Sequence, residues 1–243
     1  MPTGEGLNSE TKAKRGTAAL QILWLPAIAL VAAILAAWLL KPVVEHILAS
    51  PAVHDCDTQL LAWFRAQATP ALDRVFQGIT LLGSPFAMVM YAFVGLSVLV
   101  NRREWLLLFT WDVMFLGLLA LTQTLKPMYH RARPTDAAQF LHGISYGFPS
   151  SHALGAIAAF GMIAFALAEA TGMERESRAV LWIFTTILII TISVSRLYLG
   201  VHFLSDVLAG LLVGGVWLAV CLFALRRAKS NIRFVIKLSS THS

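Results

Sequence analysis

The chain has 243 residues, of which 58% are hydrophobic and 13% charged, and its mean hydropathy is +0.72. A soluble domain is about 45–50% apolar and about 25% charged, so this composition excludes a water-soluble globule, and it equally excludes a disordered chain. The net charge is +6. Its basic residues sit mostly at the ends of apolar runs, where membrane topology places them, so the charge does not call for nucleic acid as a partner.

Residues 16–40, 75–101, 179–195 and 207–225 contain no charged residue. Runs of that length match the roughly 20 apolar residues that cross a bilayer. Six spans are predicted, at 18–40, 79–100, 105–125, 153–170, 180–199 and 203–225. Lipid leaves no water for backbone groups, so each span is a helix, and the segments are too long for barrel strands. The expected fold is therefore all-α, a six-transmembrane-helix bundle over residues 18–228. The tails 1–17 and 229–243 are expected to be mobile and cytoplasmic. The first apolar run is too long for a signal core, and no small-x-small cleavage site follows it. Pro26 and Pro85 are expected to kink their helices.

Between the first two spans lies a long first loop, 41–78. Asp57 is expected to cap a short helix carrying Leu60, Leu61 and Phe64. Pro70 opens a second segment with Leu72, Val75 and Phe76. Both read as helices lying in the headgroup plane. Cys56 in this loop and Cys221 in the last span are not expected to pair, and neither has metal-ligand spacing.

Orientation follows from Lys and Arg. With the N-terminus in the cytoplasm, 12 of the 19 basic residues fall on that side and 7 on the other. The bias puts both termini inside.

Three polar clusters interrupt the apolar pattern, all at extracytoplasmic ends of spans. Lys126 to Pro134 follows the third span. Gly147-Phe148-Pro149-Ser150-Ser151-His152 precedes the fourth. Ser195-Arg196, His202 and Asp206 bridge the fifth and sixth. Lys126, Arg133 and Arg196 bring three cations to one mouth, where they repel unless an anion binds. Guanidinium forks match phosphate oxygens. Ser150 or Ser151 can cap a helix start whose free N–H groups add a further anion site. His202 and Asp206, four apart, share a helical face if the last span starts near His202. A carboxylate on one imidazole nitrogen fixes the tautomer and frees the other as a nucleophile. His152 can then give a proton to a leaving oxygen. Such a set suffices for phosphoryl transfer with no metal and no cofactor. Taken singly, each cation is a snorkelling anchor and His202–Asp206 a structural pair; taken together they point to chemistry.

The pattern Lys-x6-Arg-Pro, Pro-Ser-x-His and Ser-Arg-x5-His-x3-Asp resembles the three-part signature of the type 2 phosphatidic acid phosphatase family. That family includes bacterial membrane lipid phosphatases and shares its signature with vanadium haloperoxidases. The resemblance implies His202 as nucleophile, Asp206 as its orienting carboxylate and His152 as general acid. It places Lys126, Arg133, Ser150 and Arg196 on the phosphate, with the backbone N–H of Ser151 assisting. Ser151 stands where the family usually has Gly. This is harmless if the position is simply the first helical turn, and costly if it needs positive φ.

Tyr129, His130 and Arg131 fall inside the first cluster without matching a fixed position. Arg131 reads equally as a headgroup contact or a solvated loop charge. His142 and Tyr146 are candidates for the mouth. Asp112, inside the third span, is expected to be structural or protonated. The expected protein is a plasma-membrane (inner-membrane) lipid phosphate phosphatase whose site faces the periplasm or exterior. Its substrate class includes undecaprenyl diphosphate, phosphatidylglycerol phosphate, phosphatidic acid and lipid A phosphate. A lipid phosphotransferase using the same site is the alternative. A lipid transporter is disfavoured because only Asp112 fits an ionisable group near mid-bilayer and no repeat is evident. The sequence leaves the oligomeric state open.

Overall fold

The computed structural model describes the backbone of residues 4–134 and 146–240 and the side chains of residues 24–134 and 146–233. His142 lies outside them. Among the described residues every regular element is a helix: α1 (Gly4–Leu48), α2 (Pro51–Ala66), α3 (Pro70–Leu81), α4 (Pro85–Asn101), α5 (Trp105–Tyr129), α6 (Ser151–Thr171), α7 (Arg175–Tyr198) and α8 (Leu204–Ser240). Six segments are long and apolar enough to cross a bilayer. This is a multi-pass membrane protein with the expected bundle.

Several boundaries move. α1 and α8 run into both tails. Pro85 does not kink a helix: it occupies the first turn of α4 behind Ser84, whose hydroxyl accepts from Ala87 N at 3.1 Å, a position that suits a residue with no N–H to satisfy. The second predicted span is also divided at its start, because α3 ends at Leu81 and α4 begins only at Pro85. Asp57 does not cap α2. Ser50 is the N-cap, Pro51 opens the helix, and Asp57 lies mid-helix and buried. Cys56 sits beside it on α2 rather than in a loop, and both cysteines are free thiols.

The core lies where α5, α6 and α8 meet, with Met114, Leu121, Leu154, Met162, Trp217 and Leu225 in one cluster. Lipid tails are as apolar as Leu, so close packing rather than water exclusion joins such helices. Small residues permit the approach. A Cβ at Gly210 would stand 2.5 Å from the Ser150 carbonyl, and one at Gly214 would collide with the Leu154 carbonyl. Gly210 and Gly214, four apart, thus let α8 lie against the start of α6. Trp217 Nε1 donates to Met114 O at 2.9 Å across the core, a bond of about 0.6 kcal/mol in such settings. Outward faces are apolar too: Val180, Ile183, Phe184 and Ile187 form an exposed stripe on α7 at helical spacing, as a lipid-facing surface requires.

Candidate active site

The end of α5, the start of α6 and the α7–α8 junction come together at one end of the bundle. Each segment arrives there for a local reason. α5 continues through Pro127 and stops at His130, which takes the left-handed conformation (φ 49°) while its N–H bonds Lys126 O at 3.2 Å. Gly147 N bonds Arg131 O at 2.8 Å. α7 ends at Tyr198, and α8 begins at Leu204 with half of a capping box: Asp206 Oδ2 accepts from Phe203 N at 2.9 Å. His202 therefore sits just before α8 rather than on it. The α6 and α8 starts are joined by a 2.9 Å bond from Ser150 N to Asp206 O.

His202 and Asp206 are both buried, with His202 Nδ1 3.5 Å from Asp206 Oδ2. The other ring nitrogen, Nε2, lies 3.0 Å from Arg133 Nη1. A guanidinium only donates, so Nε2 is the acceptor and the proton belongs on Nδ1, facing the carboxylate. Arg133 Nη1 also donates to Val201 O at 3.0 Å. Burial, reinforced by the charges of Arg133, Arg196 and Lys126, pushes the His202 imidazole well below its usual range, against a smaller opposing effect of the Gly147 carbonyl. It is neutral at pH 7. Burial also lowers Arg133, with Asp206 opposing.

Lys126 Nζ donates to Tyr146 O at 3.1 Å. Arg196, 4% exposed, donates from Nη1 to Thr80 Oγ1 at 2.5 Å. His152 is on the first turn of α6, with Arg196, His202, Arg133 and Lys126 as its ionisable neighbours. Its ring packs at the α3–α4 joint, where a Cβ on Gly83 would lie 3.4 Å from His152 Cδ2. Ser150 is the N-cap of α6, but its hydroxyl caps nothing, contrary to the expectation of a serine cap. Ser151 opens α6 without positive φ, so its Cβ is unstrained, and its hydroxyl makes no hydrogen bond among the described residues.

All seven of the other expected side chains, Lys126, Arg133, Ser150, His152, Arg196, His202 and Asp206, thus meet at this end. Among the described residues, three buried polar atoms there have no hydrogen-bond partner: Ser150 Oγ, Arg196 Nε and His202 Nδ1, the last facing Asp206 Oδ2 at 3.5 Å. Buried polar groups are normally satisfied. Ser150 Oγ and Arg196 Nε lie amid three cations and a helix N-terminus, an arrangement chemically able to accept an oxyanion. Among the described residues no three His, Cys, Asp or Glu side chains form a metal-holding group.

Three participants escaped the sequence reading. Arg131 donates to Asp206 Oδ1 at 2.6 Å, to Ser205 Oγ at 2.6 Å and to Asp57 Oδ2 at 2.8 Å. It is neither a solvated charge nor a group pointing at lipid. Asp57, the supposed cap, is its partner. Thr80 is the third. Nothing in local spacing marks any of them, because each partner comes from a distant helix. Tyr146 is exposed at the rim, its ring edge-on to His130 at 4.7 Å. Asp112 is half-buried mid-helix and pairs with no described residue.

An apolar bundle that gathers two histidines and three cations at one end has the build expected of a membrane phosphatase, and comparison with known proteins gives that class. The sequence model of the PAP2 superfamily matches residues 109–229. The chain is 32% identical over 151 residues to phosphatidylglycerophosphatase B of Bacillus subtilis, covering 60% of this chain and 71% of that one. It is 30% identical over 180 residues to the lipid A 4'-phosphatase of Bacteroides thetaiotaomicron, covering 66% and 73%. The crystal structure of a transmembrane PAP2-type phosphatidylglycerolphosphate phosphatase from Bacillus subtilis superposes with a TM-score of 0.66 at 26% identity. That match covers 77% of this chain and 93% of the other. The chain belongs to the PAP2 superfamily.

Proposed function

We propose that this protein hydrolyses a lipid phosphomonoester or diphosphate through a phosphohistidine on His202, without a metal. The observation that carries the reading is the pair of polar atoms without a partner among the described residues, Ser150 Oγ and Arg196 Nε, buried within one cationic end of the bundle. An incoming phosphate gives both an acceptor in reach. It also draws Arg133 off His202 Nε2 and frees that lone pair. Nε2 then attacks phosphorus, and the bond to the leaving oxygen breaks as His152 protonates it. Asp206 stabilises the charge that develops on the imidazole. Lys126, Arg133, Ser150, Arg196 and the Ser151 N–H meet the charge on the equatorial oxygens. In the second half, water attacks phosphorus, His152 takes the water's proton, the P–N bond breaks, and inorganic phosphate leaves.

The substrate is a lipid because the site lies at the end of an apolar bundle, where acyl chains stay in the bilayer while the headgroup meets the cations. The printed activities of the two relatives make phosphatidylglycerol phosphate and a lipid A phosphate the first to try, followed by phosphatidic acid and undecaprenyl diphosphate. The distribution of Lys and Arg supports an orientation with both tails in the cytoplasm and the site on the outer face of the plasma membrane. The experiment is phosphate release from these four lipids by the purified protein in detergent, with and without added glycerol. Free phosphate from at least one lipid is expected. Release from none overturns the reading, and glycerol phosphate in place of free phosphate makes the protein a transferase.

A further inference from the structure

Arg131 and Asp57 lie outside every residue given a chemical role above, yet they hold the carboxylate that faces His202. We propose that Arg131, braced by Asp57, is a positioning residue that fixes the rotamer of Asp206 and so the orientation of the His202 ring. The inference rests on the phosphohistidine reading.

Asp206 carries two oxygens with different duties. Oδ1 accepts from Arg131 Nη1 at 2.6 Å. Oδ2 accepts from Phe203 N and faces His202 Nδ1. Without Arg131 only the backbone bond holds the carboxylate, and rotation about its last torsion is broad. Arg131 is fixed in turn from three directions. Its second arm pairs with Asp57 Oδ2, its first arm also bonds Ser205 Oγ, and its guanidinium lies 4.8 Å from the centroid of the Phe203 ring. Asp57, 2% exposed, accepts from Ser205 N at 2.9 Å and from Ser205 Oγ at 2.5 Å. The chain Asp57–Arg131–Asp206–His202 therefore runs from α2 to the nucleophile.

The charges agree with this role. Breaking a buried pair by removing one partner leaves an uncompensated charge. Asp57 balances Arg131 and keeps a fourth cation from competing for the phosphate. A headgroup-binding arginine would need a free arm, but both terminal nitrogens of Arg131 already donate to carboxylates. Outer-shell partners that orient histidines in metal sites change activity by about 10–100-fold when lost, and a loss on that scale is expected here.

The test uses the full-length protein in detergent with phosphatidylglycerol phosphate and phosphatidic acid as probes, comparing R131M, R131K, D57N and D57N/R131M. In R131M, kcat is expected to fall about 10–100-fold with KM held within about twofold. R131K, which supplies one point charge for a two-armed fork, should recover part of that loss. The double variant should be no slower than R131M, because Asp57 acts through Arg131. Histidine 15N NMR, with the His202 signal assigned by its absence in H202Q, should show an Nδ1-protonated ring in wild type and a changed signal in R131M and D57N. Unchanged kcat, a rise in KM alone, or a lower kcat with the His202 signal unmoved each overturns the proposal. If R131M does not fold, R131K and D57N decide on the same readings. If wild type releases phosphate from neither lipid, lipid A phosphate and undecaprenyl diphosphate replace them; release from none of the four fails the proposed function, and the NMR comparison alone then decides the positioning role.

Discussion

The backbone N–H of Ser150 donates a 2.9 Å hydrogen bond to the backbone carbonyl of Asp206. This bond locks the start of α6 to the start of α8, and with it Ser150 to the carboxylate behind His202. The relationship exists because Gly210 lets α8 approach the Ser150 carbonyl closely. Gly210→Ala should push the helices apart there, at a cost of about 1–3 kcal/mol from overpacking. Thermal unfolding in detergent measures the stability loss. Turnover at a temperature where the variant remains folded should fall as well. Full activity in Gly210→Ala would mean that the register between α6 and α8 does not matter to the site.

The two histidines should fail differently. His202→Ala should abolish both turnover and the radiolabelled protein that forms from a labelled substrate. His152→Ala should lose about 10²–10⁴-fold with a lipid alcohol leaving group and far less with p-nitrophenyl phosphate, whose leaving group needs no proton. Equal losses on the two substrates would remove His152 from the role of acid.

Acid should inhibit only late. Attack needs neutral His202, and burial with three neighbouring cations holds its pKa well below the usual value. The acid limb of kcat/KM, which reports the free enzyme, should thus lie well below pH 6.5, the ordinary histidine value. The same shift bears on stability. The unfolded chain protonates this histidine near pH 6.5 and the folded chain does not, so the neutral ring's contribution is complete above that pH and declines below it. Turnover followed from pH 8 down to pH 4, with folding checked at each point, measures both. A half-loss at or above pH 6.5 in folded protein would contradict the buried, cation-flanked site.

Thr80 should matter through Arg196. Its hydroxyl accepts from Arg196 Nη1, and losing a hydrogen bond to a charged group costs about 1.5 kcal/mol or more. Thr80→Val keeps the shape, so kcat/KM should drop about tenfold, chiefly through weaker phosphate binding. Inhibition by vanadate, a mimic of five-coordinate phosphorus, should weaken in parallel. An unchanged vanadate inhibition constant would separate Thr80 from the anion socket.

The parts that sequence made legible are those carried by fixed spacing or by long apolar runs. Six spans followed from run length because the bilayer demands it. Lys126, Arg133, His152, Arg196, His202 and Asp206 stood out because phosphate chemistry needs those types together. Asp57 was misread for a physical reason: a polar residue ahead of Leu60, Leu61 and Phe64 looks like a helix start, and only its distant partner Arg131 shows why it is buried mid-helix. Thr80 carried no signal, since a threonine near a span is ordinary until Arg196 is seen beside it. Pro85 resisted placement because proline suits both a membrane kink and a first helical turn, and the Ser84 cap decides for the turn.

Tyr198 stacks on Phe76 at 4.1 Å between ring centroids, its hydroxyl accepts from Thr69 N, and Arg65 Nη1 donates to its carbonyl. The α2–α3 segment is therefore bolted to the chain just past Arg196. Anyone wishing to attach a reporter or an epitope should leave that segment intact, since a graft there would loosen Arg196 and His202 together. The tight turn at Arg102–Arg103, exposed and at the far end of α4, offers a site for such cargo that leaves the catalytic end undisturbed.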